Sequence, residues 1–199
     1  MVTHLENLLS VAETNGLIRA RDLDQHGIPR QYLSIACARG LLERLDRGLY
    51  TLPGAIQTEH RSLLEVCKLV PHGVICLLSA LQFHGMTTQN PFKVWLAIGE
   101  SKEIPRISLV HLHIARFSTE TLEAGVEVHD VNGIELRVFN PAKTVADCFK
   151  YRNKIGVGIA TEALRDYLRL RKGAIDDLTK YARVCRVERV MRPYLEALL

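Results

Sequence analysis

The sequence predicts an α+β fold, on three observations. Residues 17–52 pass through two short helical stretches into a tight hairpin. Apolar, β-branched segments recur later, at 94–98, 107–114 and 134–139. The last third of the chain carries capped, amphipathic helices. At 199 residues the chain is long enough for one large domain or two small ones, and 47% hydrophobic residues supply a core. The full expectation is an N-terminal winged helix-turn-helix followed by a mixed α/β C-terminal domain with a small sheet and C-terminal helices. The boundary is expected at Gly54, giving domains 1–54 and 55–199.

Each element has a local reason. Thr3 and Glu6 form a capping box, in which each side chain satisfies the other's backbone amide. Leu5, Leu8, Leu9 and Ala12 then recur at helical spacing until Asn15-Gly16 supplies a left-handed stop. Ile18 reads as part of a very short strand, and residues 21–25 as a short second helix closed by Gly27. Pro29 fits the first position of a third helix that runs to Arg39, with Gly40 just beyond its end. On that helix Tyr32, Leu33, Ala36 and Cys37 follow the spacing of a buried stripe, which leaves Arg30, Gln31, Ser34 and Ala38 facing outward. Residues 42–45 and 49–52 make two strands around Asp46-Arg47-Gly48, with glycine where a positive φ is wanted.

Beyond Gly54, residues 59–70 read as a helix, and a second capping box at Ser79 and Gln82 opens a short helix that stops at Gly85. Three strands are expected at 94–98, 107–114 and 134–139. Asn140-Pro141 is an N-cap followed by proline at the first helical position, which launches a helix through Lys150. Helices over 158–172 and 176–192 follow. Along the latter Val184, Val187 and Met191 form the inward stripe, and Arg183, Arg186, Arg189 and Arg192 wind around half the surface.

The outward residues of the third helix suggest chemistry. Arginine, glutamine and serine address base edges or phosphates, whereas protein docking favours a leucine-rich face. The candidate DNA-contact residues are Arg19, Arg21, Arg30, Gln31, Ser34, Arg44 and Arg47, the last two in or beside the hairpin. The alternative is a winged-helix adaptor that docks a protein and binds no DNA. Charge complicates the picture. Residues 1–54 balance to zero and residues 55–139 to −2, while 140–199 carry +6, so the excess lies far from the expected DNA reader.

Catalytic constellations are weak. Glu100 and Lys102 after a strand resemble half of a metal-dependent nuclease site, without a second carboxylate nearby. His111 and His113 alternate on one expected strand face without a third ligand. Ser79 and His84 are close in sequence, with Ser79 better read as a cap, and the turn from His84 to Gln89 is either a helix stop or a recognition surface. No enzymatic activity, catalytic residue, cofactor or metal is expected. Five scattered cysteines without a CxxC pair suit reduced thiols in a cytoplasmic protein, and neither a secretory signal nor a membrane span is read.

The hairpin ERLDRGLYTLPGA, then SALQFHGMTTQ, then VFNPAKTVADCFKYRNKIG, in that order, resemble the AbiEi antitoxin family of bacterial type IV toxin–antitoxin (abortive infection) systems. The resemblance implies a winged helix that represses its own operon by binding inverted repeats in the promoter. It also implies a C-terminal domain that counters a nucleotidyltransferase-like toxin without a stable complex being required. Carried over, Arg30, Gln31 and Ser34 would read DNA and Arg44 and Arg47 would grip its backbone. The C-terminal domain of that family also contributes basic surface; the neutral N-terminal domain here departs from it.

Overall fold

A computed structural model of the chain describes residues 3–55, 59–131 and 133–199. The fold is mixed α and β, with two sheets among the described residues. Contacts divide the chain into a first unit, Met1–Pro71 with Pro105–His111 and His129–Leu136, and a second, His72–Ile104 with Leu112–Val128 and Arg137–Leu199.

In the first unit, α1 (His4–Asn15) starts at the expected capping box: the Thr3 amide donates to Glu6 Oε2 at 2.7 Å and the Glu6 amide to Thr3 Oγ1 at 3.3 Å. A cap of this kind contributes about 1 kcal/mol. Then come β1 (Leu17–Arg19), a 3-10 helix (Asp22–His26) where the short second helix is expected, and α2 (Gln31–Ala38). The hairpin is β2 (Glu43–Asp46) and β3 (Leu49–Thr51), and the three strands form an antiparallel sheet in the order β1-β3-β2. Leu8 and Ala12 of α1, Leu33 and Ala36 of α2, and Ile18, Leu23, Ile28 and Leu42 close one core. Helix α3 (Arg61–Leu69) packs against β1.

The second sheet has the order β6-β5-β4-β8-β7, with β4 (Val74–Ile75), β5 (Val94–Gly99), β6 (Leu112–Phe117), β7 (Val126–Val131) and β8 (Ile134–Phe139). β4 runs antiparallel to β5 and parallel to β8, and β5 is parallel to β6. Helices α4 (Leu77–Phe83) and α5 (Thr119–Glu123) lie between strands. Then follow α6 (Pro141–Lys150), α7 (Arg152–Ile155), α8 (Val157–Arg169), α9 (Ile175–Val184) and α10 (Glu188–Glu196). Among the described residues no helix is long and apolar enough to cross a membrane.

Three expectations are corrected. The strand expected at 107–114 begins only at Leu112, opposite Val94, because the amides of Ser108 and Leu109 are committed to the Asp46 carboxylate and cannot join the β5 ladder. Ser79 is not an N-cap: α4 starts at Leu77, and the buried Ser79 hydroxyl accepts from the Trp95 amide at 3.0 Å. The single helix expected over 176–192 is broken at Cys185–Val187, where Arg186 takes φ +58° and Val187 turns into the core. In addition, β4, β7, α5 and α7 have no counterpart in the sequence reading.

Helix α6 is the axis of the second unit. Asn140 caps it, accepting from the Lys143 amide at 2.8 Å, with Pro141 at the first turn. Every residue from Ala142 to Phe149 is buried, as for a helix covered on all sides. Lys143 and Asp147, neighbours one turn apart, form an ion pair at 0% exposure. The ammonium reaches both carboxylate oxygens, at 2.7 and 2.6 Å. It also lies 4.0 Å from the centroid of the Phe139 ring and 4.8 Å from that of Phe117. The Cys185 thiol donates to Asp147 Oδ1 at 3.2 Å. Burial pushes the Asp147 carboxyl up, against the pull of Lys143.

Removing one partner strands a buried charge, so Lys143→Met is expected to lower stability by about 3–5 kcal/mol, while Lys143→Met with Asp147→Leu recovers most of that loss. Urea denaturation followed by the fluorescence of Trp95, the single tryptophan and a member of this core, checks both.

Candidate nucleic-acid interface

Helix α2 exists because Pro29 and Arg30 start it and Gly40, at φ +69°, ends it; the amides of Gly40 and Leu41 bond to the carbonyls of Cys37 and Ala36 at 3.0 and 2.9 Å. Leu33 and Ala36 hold its inner face in the core. Gln31, Ser34 and Ala38 are exposed, as the spacing requires. Ile35 is also 36% exposed and shares that face, which the sequence reading did not include.

Arg30 is exposed but not idle. Its guanidinium forks onto Asp24 of the 3-10 turn, Nη2 to Oδ2 at 2.6 Å and Nε to Oδ1 at 3.3 Å. That side-chain hydrogen bond holds the guanidinium above its ordinary range. Arg21 is exposed just before the turn. Arg19 ends β1, level with Leu49 of β3, and is half-buried; that burial, with Arg21 nearby, draws its guanidinium down.

The hairpin arginines are both exposed. Arg44 faces Tyr50 across the ladder, and its Nε donates to the Asp46 carbonyl at 3.3 Å. The ladder slips between Arg44 and Asp46, a bulge that adds twist to the ribbon. Arg44 also reaches α2 electrostatically: burial raises the Cys37 thiol, and the Arg44 charge offsets part of that rise. Cys37 of α2 and Tyr50 of β3 pack against the same core, so the hairpin and the helix share one neighbourhood. Arg47 occupies the turn before Gly48, which takes φ +77°.

Asp46 was not singled out from sequence, yet it fixes this hairpin. Its carboxylate accepts from the amides of Arg47 (2.6 Å), Ser108 (2.9 Å) and Leu109 (3.0 Å) and from the Ser108 hydroxyl (2.9 Å). Partial desolvation pulls the carboxyl up, but the bonds from Arg47, Leu109 and Ser108 outweigh it, and the group sits below the usual carboxylate range. No sequence signal could have found this, because Ser108 lies 62 residues away.

The weaker constellations stay apart. His113 stacks on Trp95, ring centroids 3.7 Å apart, and His111 lies outside β6, so the two do not share a strand face. Glu100 and Lys102 lie in the turn after β5, where the Arg116 guanidinium gathers the carbonyls of Gly99, Glu100 and Lys102. His84 Nε2 lies 2.8 Å from the Phe139 carbonyl, and Met86 in the same loop is fully buried. Among the described residues no three His, Cys, Asp or Glu side chains gather as metal ligands.

Comparison with known families bears on this same stretch of chain. Residues 6–53, from within α1 to just past β3, match the model of a family described as transcriptional regulator, AbiEi antitoxin. The resemblance read from the sequence is borne out over that stretch. No curated protein matches the chain.

Because the Asp46 carboxyl is depressed in the folded chain, its contribution is complete above the usual carboxylate range, near 4, and is lost as pH falls through the folded value. Asp46→Asn, which sets an NH2 donor against either the Ser108 and Leu109 amides or the Arg47 amide, is expected to cost about 1 kcal/mol in this largely solvent-screened setting. It should also speed hydrogen exchange at Ser108 and Leu109 at neutral pH, and this excess should shrink in acid.

Proposed function

We propose that the chain is a DNA-binding transcriptional autorepressor that acts as the antitoxin of a type IV toxin–antitoxin system, opposing a nucleotidyltransferase-like toxin. In this reading residues 1–54 are a winged helix-turn-helix and residues 55–199 the antitoxin domain. The partner is duplex DNA carrying inverted repeats in the chain's own promoter. The protein works in the cytoplasm, without cofactor or enzymatic step, and direct contact with the toxin is not required. One observation carries the reading. The stretch that matches a transcriptional-regulator family is the stretch in which an exposed helix face, Gln31 and Ser34 with Arg30 at its start, stands beside a hairpin bearing Arg44 and Arg47.

Binding exchanges partners. The Arg30–Asp24 pair is about 60% exposed on both sides, and such pairs contribute at most about 1 kcal/mol. A guanine edge or a phosphate therefore competes for Arg30 on favourable terms. Arg19 and Arg21 add positive charge near the turn. The second reading, a protein-docking adaptor, is favoured by the exposed Ile35 on the same face.

Gel-shift titration on the promoter separates the two. Arg30→Ala is expected to lose about 1–3 kcal/mol and relax sequence preference, while Arg47→Ala weakens all sequences alike and reduces the salt slope by about one ion. Asp24→Asn, which frees Arg30, is expected to tighten binding. Full DNA affinity in both arginine variants, or none in the parent chain, removes the repressor reading, and loss of a protein partner in Ile35→Asp would install the adaptor.

A further inference from the structure

Helix α9 ends in a turn whose geometry suits glycine and holds arginine instead. Arg186 sits at φ +58°. Its amide bonds to the Arg183 carbonyl at 2.9 Å, and the Val187 amide to that of Ala182 at 2.8 Å. Those are the paired bonds of a Schellman motif. The same motif closes α4, with Gly85 at φ +66° and the amides of Gly85 and Met86 on Gln82 and Leu81. A Cβ in the left-handed region is disfavoured; Arg171, at φ +50° with the same paired bonds, closes α8 in the same way, so what sets Arg186 apart is the pocket it lines. Complementing the helix dipole does not explain it, since Arg183 already supplies a cation in the last turn of α9.

Arg186 forms one wall of a pocket of about 260 Å³ within the second unit. Lys150 at the end of α6 forms another. Its ammonium donates to the Cys185 carbonyl at 3.2 Å, which leaves two of its three protons available. Among the described residues neither Arg186 nor Lys150 is paired with a carboxylate side chain. The same lining includes Glu100 and Glu120, exposed and likewise without an ion pair among the described residues, together with Ser118 and Thr121. The pocket thus brings cations and hydrogen-bond acceptors to one cavity. Tyr151, its aromatic wall, is stacked on Phe117 and has the Lys154 ammonium 5.4 Å from its ring centroid, so it offers a base no bare platform. Two unpaired carboxylates disfavour an extended polyanion.

The geometry points to a binding site for a small phosphate ester that carries hydroxyl groups, with its phosphate on Arg186 and Lys150 and its hydroxyls on Glu100 and Glu120. The site is separate from the proposed DNA-contact residues and does not depend on that reading. Calorimetric titration of the full chain with ribose 5-phosphate, inorganic phosphate and ribose tests it. Ribose 5-phosphate is expected to bind saturably, inorganic phosphate more weakly, and ribose not at all. Arg186→Gly and Arg186→Asn suit the left-handed backbone, so they are expected to keep the melting temperature while weakening ribose 5-phosphate about 10- to 100-fold. Glu100→Gln with Glu120→Gln should weaken ribose 5-phosphate but not inorganic phosphate. The proposal is overturned by absent binding at millimolar ribose 5-phosphate, by equal affinity for inorganic phosphate, or by unchanged affinity in the stable Arg186 variants.

Discussion

A lysine ammonium and an aspartate carboxylate with no exposure to water, 2.6 Å apart inside one helix, set the terms for the second unit. Taking both charges out of water costs several kcal/mol per ion, and a pair of apolar side chains would pack there without that cost. The pair is tolerable only because each remaining valence is met. The ammonium also lies over the Phe139 and Phe117 rings, and the carboxylate accepts a further bond from the Cys185 thiol. No buried side-chain polar atom among the described residues lacks a partner. Any other rotation of α6 would leave an ionised group in apolar surroundings. The pair therefore acts as a register: it fixes α6 against β8, which brings Phe139, against β6, which brings Phe117, and against the end of α9, which brings Cys185.

The end of α9 follows from that register. Cys185 has to face inward to reach Asp147, and its carbonyl receives the Lys150 ammonium from the end of the same α6. Val187, two residues on, is also buried, as is Met191. A continuous helix advances about 100° per residue and would carry Val187 to nearly the opposite side from Cys185. Both are buried because the chain stops, turns through one left-handed residue and restarts as α10. The residue left at that turn is Arg186. Its strain is a local consequence of satisfying a charge pair in the core, and its exposure puts the guanidinium into the rim of the pocket.

Where the cause was local, the sequence was legible. Asn140-Pro141 announced α6, Thr3 and Glu6 announced α1, and the 3.6-residue period sorted Leu33 and Ala36 inward from Gln31 and Ser34 outward, all as found. Where the cause was distant, it was not. Residues 107–114 have the alternation of a strand, but Ser108 and Leu109 answer to a carboxylate 62 and 63 residues earlier. The break at Arg186 carries neither glycine nor proline, since what ends the helix is the demand on Cys185 and Val187. Nothing local marks Lys143 as buried, because i,i+4 spacing to Asp147 is equally at home on a surface. Of the candidate site, exposure was readable and occupancy was not: nothing local showed that Arg30 is held by Asp24 or that Asp46 pins the hairpin.

The zero net charge of residues 1–54 weighs less against DNA contact than a count suggests, because a phosphate responds to the local field. Three of the acids in that stretch are already answered. Asp22 is 3.2 Å from Lys68 and accepts from the Arg19 amide, Asp24 is spanned by Arg30, and the Asp46 charge is spread over three amides and a hydroxyl. Arg21 and Arg47 have no carboxylate partner among the described side chains, and Arg44 spends one N–H on a neutral carbonyl. In the proposed repressor reading, an approaching backbone would therefore meet a hairpin and turn more positive than the sum. The cost would fall on Arg30, which would have to leave Asp24 to engage. That exchange would be a source of discrimination, because a weakly complementary sequence repays less of the broken pair than a guanine edge that accepts both arms of the fork.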